Sequence, residues 1–243
     1  MVSAITAPGA EGRLWEVDMR LRPSGNKGPV AVRLSTFEAY HMTEAWGWER
    51  MALTRARPIA GPPAMRRRIA GLLRAALTRP GAAAAALTDA VAMRQRMLRD
   101  LPPDGPWDLK AMPGGLIEVE FIAQALQLRH AAENPKVLAT STRVALARLR
   151  DAGVLPAEEA EALIRADRLW RTVVGLVRLT HGKSRDPALP APAAAALLRA
   201  AAPLLPVPAV DLPGLRAQMA DMAGTVRAIF ERRIGALGMG AGQ

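Results

Sequence analysis

A mainly α-helical chain with a small β part near its start is predicted by three observations. From Pro63 onward, apolar residues recur at helical spacing almost without interruption, in a background rich in alanine, leucine and arginine. Residues 14–22 instead alternate, with Leu14, Glu16, Asp18, Arg20 and Arg22 on one face and Trp15, Val17, Met19 and Leu21 on the other. Between the two regimes stands Gly61-Pro62-Pro63, which punctuates regular structure. The expected organisation is therefore residues 1–62 as one part and residues 63–243 as a helical part. The latter divides into connecting helices over 63–108, a helical bundle over 109–182 and a proline-interrupted helical tail over 183–243.

In order along the chain, Leu14–Arg22 and Pro29–Leu34 read as two strands joined by the turn Pro23-Ser24-Gly25-Asn26-Lys27-Gly28, a loose hairpin. Ser35-Thr36-Phe37-Glu38 offers an N-cap and an acid in the first turn, so a helix is predicted from there to Trp48 or Arg50. Ala52–Ile59 reads as a closing strand or as a helix tail, the strand being preferred, and Pro58 and Gly61 stop either. Helices are predicted at Pro63–Leu77, Ala84–Asp100, Leu116–Glu133, Ser141–Ala152, Ala157–Thr180, Ala191–Ala202 and Leu215–Leu237. Ser141 starts one and Gly153 stops it, and Pro156-Ala157-Glu158-Glu159 combines proline with an acidic first turn. Ile117, Phe121, Ala125 and Leu128 form one buried stripe; Leu163, Ala166, Leu169, Trp170, Val173, Val174 and Val177 form another. Seven prolines between Pro187 and Pro213 keep any helix there short.

Composition narrows the function classes. The 243 residues contain no cysteine, so there is no disulfide framework and no thiolate metal site. The opening MVSAITAPGA lacks the charge and length of a signal peptide, and no run approaches the roughly 18 apolar residues of a membrane span, so a cytoplasmic location is expected. The net charge of +11 concentrates in residues 1–100, which hold 16 Lys and Arg against 8 Asp and Glu. Nucleic-acid binding is the simplest reading of such a charge, but no exposed aromatic series or known module accompanies it. Most arginines sit singly on alanine-rich helices, the pattern of solvated faces.

Asp18 is the first candidate site residue. A carboxylate on a strand that runs into a basic, glycine-rich turn suits Mg²⁺ and a polyphosphate, because a hard cation takes oxygen ligands and phosphate takes guanidinium and backbone N–H. Arg20 and Arg22 share its face and either meet phosphate or balance the acid. Ser24, Gly25 and Lys27 either let the backbone approach phosphate or simply close the hairpin. Trp46 and Trp48 cannot share a helix face, and both read as packing residues: one buried, the other against the next layer or a partner. If Ala52–Ile59 is a strand, Arg55 and Arg57 point to one side and extend the basic face. Gly114 and Gly115 lead into a helix N-terminus, with Lys110 before them and Glu118 in its first turn. Glu118 and Glu120 lie about 200° apart around that helix and cannot form a paired-carboxylate site. His41, His130 and His181 lack ligand spacing, and no metal is assigned to them.

Three blocks, Gly12–Gly28, Glu44–Gly61 and Asp108–Gln124, together resemble the glutamine synthetase adenylyltransferase family, over about residues 3–180. Ser24-Gly25 after Arg22-Pro23, and the Glu44-Ala45-Trp46-Gly47-Trp48-Glu49 run, are similar to the family's C-terminal, transferring half. The resemblance implies the C-terminal piece of a nucleotidyltransferase α/β domain followed by an all-α bundle. It implies AMP transfer from ATP to a tyrosine of glutamine synthetase, with Mg²⁺, Asp18 as metal ligand and catalytic carboxylate, and Arg20, Arg22, Ser24, Gly25, Lys27 and Lys110 towards the nucleotide. Lys110 and Glu118 then belong to a domain interface or the nucleotide's edge. The family's Gly-Ser and Asp-x-Asp metal motif has no counterpart here, so the chain is expected to start partway through the catalytic domain. It is expected to be inactive unless the missing N-terminal part of the enzyme completes it. Glutamine synthetase is the expected partner, with a PII-type signal protein as a second. The alternatives are a non-catalytic helical module binding either of them, and a basic nucleic-acid-binding helical protein.

Overall fold

The computed structural model describes residues 6–10, 12, 24–80, 85–182 and 188–235. Nine α-helices lie wholly within them: α1 (Leu34–Thr43), α2 (Gly47–Leu53), α3 (Pro63–Leu77), α4 (Ala86–Asp100), α5 (Leu116–His130), α6 (Thr142–Asp151), α7 (Ala157–Thr180), α8 (Ala191–Ala201) and α9 (Leu212–Arg233). Short 3-10 turns occur at Gly25–Lys27, Pro135–Val137 and Ala202–Leu204. α5 packs against α2, α4, α6, α7 and α9, and α7 in turn carries α6, α8 and α9. None of the helices is long and apolar enough to cross a membrane.

The expected small β part, and with it the piece of an α/β nucleotidyltransferase domain, is overturned: the described residues form no strand or sheet, only an isolated bridge between Gly9 and Gly12. The strand expected over Leu14–Arg22 lies outside the described residues. Pro29–Leu34 is not a strand, because the preceding turn closes on itself. Lys27 N–H donates to Ser24 O, Gly28 N–H donates to Gly25 O, and α1 already starts at Leu34 with Arg33 at its N-cap. Ser35 is therefore inside the helix rather than capping it. Ala52–Ile59 is not a strand either. Ala52 and Leu53 complete α2, and the N–H groups of Thr54, Arg55 and Ala56 bond back to the carbonyls of Met51, Ala52 and Leu53. Backbone groups satisfied locally have no call for a ladder. The helix expected to run from Ser35 to Trp48 or Arg50 breaks at 44–46 into α1 and α2.

The remaining helices follow their apolar spacing closely, and α3 and α7 match the expected limits at both ends. In α7, Leu163, Ala166, Leu169, Trp170, Val173 and Val177 are buried, and Val174 lies at the edge of the core. α5 departs from the single stripe expected of it. Val119, Ile122, Ala123, Leu126 and Gln127 are buried as well as Ile117, Ala125 and Leu128, so the helix is covered on nearly every side. A helix apolar around its circumference belongs at the centre of a bundle.

Gly114 and Gly115 are what let this central helix begin where it does. Gly114 has φ +71°, and a Cβ there would stand 1.9 Å from the Ala223 carbonyl oxygen of α9. A Cβ on Gly115 would stand 2.5 Å from the Leu109 oxygen. Backbone against backbone cannot give way by a rotamer change. Gly114→Ala is expected to lose about 3 kcal/mol or more, from left-handed strain and overpacking together. Gly175→Ala, in open space inside α7, is expected to gain about 0.5–1 kcal/mol. Urea unfolding of the two variants checks both signs.

Candidate functional site

Of the residues singled out for the site, Asp18, Arg20 and Arg22 lie outside the described residues. Ser24, Gly25 and Lys27 form the start and body of the first 3-10 turn, with Ser24 at φ 60° and Lys27 exposed. The turn is held from behind. The Tyr40 hydroxyl of α1 receives a backbone hydrogen bond from Ser24 and donates to both Glu49 oxygens at 2.8 and 2.9 Å. Burial, and then the Glu49 bond, push the Tyr40 hydroxyl pKa above its ordinary value. Glu49 also accepts the Trp46 N–H at 2.9 Å, which fixes the first turn of α2. One carboxylate thus joins the turn's support to two helices. Gly47, between the two tryptophans, lies against Asp89 of α4, with no space for a Cβ. Trp46 is 69% exposed and Trp48 is half-buried in a cleft lined also by Met51 and Phe121, so neither is the buried tryptophan expected.

Glu118, read as a helix-dipole or interface acid, is fully buried and is the centre of an ion cluster. Its Oε1 accepts from Arg94 Nε at 2.9 Å and from an Arg227 Nη at 2.9 Å, and its Oε2 accepts the Gly114 N–H at 2.9 Å. The Arg94 side chain is likewise fully buried and also donates to the carbonyls of Ala111 and Met112 at 2.8 and 2.9 Å. Arg94 and Arg227 were not singled out in the sequence. The available signal was Arg94 following Ala86 and Ala90 at four-residue spacing, an arginine on an apolar stripe. Lys110 is exposed on the loop before α5, and its carbonyl accepts the Ile117 N–H. Among the described residues no hydrogen bond or ion pair joins it to the Ser24 turn.

Glu120, two residues on, faces the other way, as its angle around the helix requires. It accepts from Arg55 at 3.0 Å and from Arg171 at 2.8 Å, and Arg171 also holds the buried Asp167 at 2.9 Å. Burial raises the Asp167 pKa, opposed by the adjacent Arg171 and Arg143. Arg55 and Arg57 do not share a basic face, since Arg55 pairs with Glu120 and Arg57 lines a separate cleft.

Among the described residues no group of three or more His, Asp or Glu side chains could hold a metal ion. The described clusters around α5 are structural ion networks.

A family model described as glutamate-ammonia ligase adenylyltransferase matches residues 1–71, and one described as GlnD PII-uridylyltransferase matches residues 86–205. Curated relatives named bifunctional glutamine synthetase adenylyltransferase/adenylyl-removing enzyme match most of the chain. The protein from Rhodopseudomonas palustris strain TIE-1 is 43% identical over 235 residues, covering 97% of this chain and 23% of the relative. Those from Caulobacter vibrioides and Xanthobacter autotrophicus are 48% identical over 180 residues and 39% over 232, covering 74% and 96% of this chain and 18% and 23% of the relatives. The chain belongs to the glutamine synthetase adenylyltransferase family. It spans about a quarter of the length of these relatives. The adenylyltransferase match at 1–71 takes in the turn and its Tyr40–Glu49 support, and the match at 86–205 takes in Arg94, Glu118, Glu120 and Asp167.

Two outcomes test the site's framework. Glu118→Gln leaves Arg94 charged and buried without a counter-ion, and is expected to cost about 3–5 kcal/mol in urea unfolding, with Arg94→Met in the same chain restoring part of the loss. His41, buried with its ring tilted against Phe37, has its pKa lowered first by burial and then by Arg50, against the pull of Glu49. The unfolded chain takes up that proton near pH 6.5 and the folded chain only below it. Stability should therefore fall as pH drops through 6.5, and the drop should shrink in His41→Phe, read by thermal unfolding across pH 5–8.

Proposed function

We propose that this chain carries part of an enzyme that transfers AMP from ATP to a tyrosine of glutamine synthetase. The supporting observation is its 39–43% identity to proteins named for that activity, over 232 to 235 residues and so over Asp18 and the turn after it. In this reading residues 1–62 stand nearest the chemistry, and residues 63–243 form the helical platform behind them. The reaction forms a P–O bond between the tyrosine oxygen and the α-phosphorus and breaks the bond to pyrophosphate. Arg20 and Arg22 would meet the phosphates, bidentate where geometry allows. Ser24, Gly25 and Lys27 would approach them from a turn that Tyr40 and Glu49 hold still, and Lys110 would stand at the nucleotide's edge. Mg²⁺, when bound, neutralises phosphate charge, and Asp18 is its proposed ligand in this chain.

In this reading the chain by itself is proposed to be inactive until another portion of the enzyme joins it. Glutamine synthetase is the proposed target, in the cytoplasm. A PII-type signal protein is the proposed second partner, a reading supported by the match of residues 86–205 to the PII-uridylyltransferase model.

The test joins this chain behind the portion of the Rhodopseudomonas palustris relative that precedes the matched span. With ATP, Mg²⁺ and glutamine synthetase, the joined protein is expected to incorporate AMP, and the chain alone is expected to incorporate none. Asp18→Asn in the joined protein should lower the rate by at least about 10²-fold, the scale of losing one group that stabilises developing charge. A folded but inactive joined protein, or an Asp18→Asn variant of unchanged rate, overturns the proposal.

A further inference from the structure

Most arginines around the central helix are matched to carboxylates: Arg55 and Arg171 to Glu120, Arg94 and Arg227 to Glu118, Arg233 to Glu159. One surface breaks this rule. A cleft of about 660 Å³ opens between the segment after α2, one side of α3, and α6 with the residues leading into it. Arg57, Arg74 and Arg148 line it, one from each of these three segments, and no Asp or Glu among the described residues does. All three residues are exposed, and the guanidinium groups of Arg57 and Arg74 make no hydrogen bond or ion pair with a described residue. Arg148 is anchored by donating to the Leu138 carbonyl, which leaves its remaining N–H groups for the cleft.

Two further features point to an anion. Thr140 and Ser141 line the same cleft at the N-terminus of α6, where the Ser141 side chain makes no capping bond and the first turn holds no acid. The positive end of that helix is thus left uncompensated by its own sequence. The floor, by contrast, is apolar, made by Leu73, Leu77, Leu138 and Val144, the last 44% exposed. Arginine rim, hydroxyl corner and greasy floor suit a molecule with phosphate at one end and a flat ring at the other, and the volume falls in the usual range of small-ligand pockets.

We propose that this cleft, whose lining includes none of the residues assigned to AMP transfer, binds a phosphorylated small molecule of nucleotide size. An acidic protein segment is the competing occupant. The proposal does not rest on the transferase reading, because the cleft contains none of the residues assigned to it.

Calorimetric titration of the whole chain with ATP, with adenosine and with inorganic pyrophosphate tests it, in EDTA so that no divalent metal contributes. ATP and pyrophosphate are expected to bind and adenosine to bind far more weakly. Arg57→Gln with Arg74→Gln is expected to weaken ATP binding by about tenfold per guanidinium removed, the scale of a lost charge-assisted bond. Arg66→Gln with Arg67→Gln, two exposed arginines of α3 outside the cleft, removes the same charge and should leave the affinity within about twofold. Far-UV circular dichroism confirms that both variants fold. No binding of ATP or pyrophosphate overturns the proposal, as does equal weakening by the two double variants. A poly-glutamate peptide that binds through Arg57 and Arg74 without competition from ATP also overturns it, in favour of an acidic protein partner.

Discussion

A single buried carboxylate, Glu118, sets the geometry on which the helical part depends. A desolvated charge is costly unless every lone pair is used. Here Arg94 comes from α4, Arg227 from α9 and the Gly114 N–H from the loop before α5, all within 2.9 Å. The second layer is as demanding, since Arg94 is spent on the Ala111 and Met112 carbonyls of that same loop. Apolar packing alone would accept small slides of one helix along another. A guanidinium bonded to a carboxylate and two carbonyls accepts almost none. The glycine pair belongs to this constraint, because Gly114 must be without a side chain for α9 to approach closely enough to deliver Arg227.

Glu120 repeats the arrangement on the opposite side of the same helix. Two carboxylates two residues apart face away from each other, so one binds α4 and α9 while the other binds the end of α2 and α7. Asp167 extends the second network inward, where burial outweighs its arginine neighbours. The central helix is therefore apolar nearly all round yet pinned by charge at two points. That combination accounts for the matched arginines, and it leaves the net charge of +11 to the outer surfaces.

Helices were legible where the apolar spacing was long and the ends were marked. Pro63, Pro156 and Gly153 delimit α3, α7 and α6, and the structure keeps those limits within a residue or so. The strands were not legible in Pro29–Leu34 and Ala52–Ile59, since a short run without a partner carries no information about whether a ladder exists. In Ala52–Ile59 local 3-10-type bonds take the first N–H groups, and Pro29–Leu34 ends in the start of α1, where Arg33 O accepts the Phe37 N–H. Ion clusters were harder still. Glu118 was visible, but its partners lie 24 and 109 residues away, and sequence spacing does not reveal which arginine turns inward. An arginine at a core register, as at Arg94, is the one local sign.

The blocks that carry the family likeness acquire a physical meaning from this layout. The second block contains Glu49 and Arg55, the third contains Gly114, Glu118 and Glu120, and Arg55 meets Glu120 directly. From the Ser24 backbone the contacts run through Tyr40 to Glu49, then along α2 to Arg55, and on through Glu120 to Arg171 and Asp167. Contiguity of this kind is geometry, and coupling between distant sites would also need an element with two arrangements. What the path does supply is stiffness. After the first link its bonds are charge-assisted or intrahelical, so the turn bearing Ser24 to Lys27 rests on the same contacts that hold the bundle together. Residues that look like site chemistry in the sequence thus include several whose work is to keep another segment still, and Glu49 is the clearest of them.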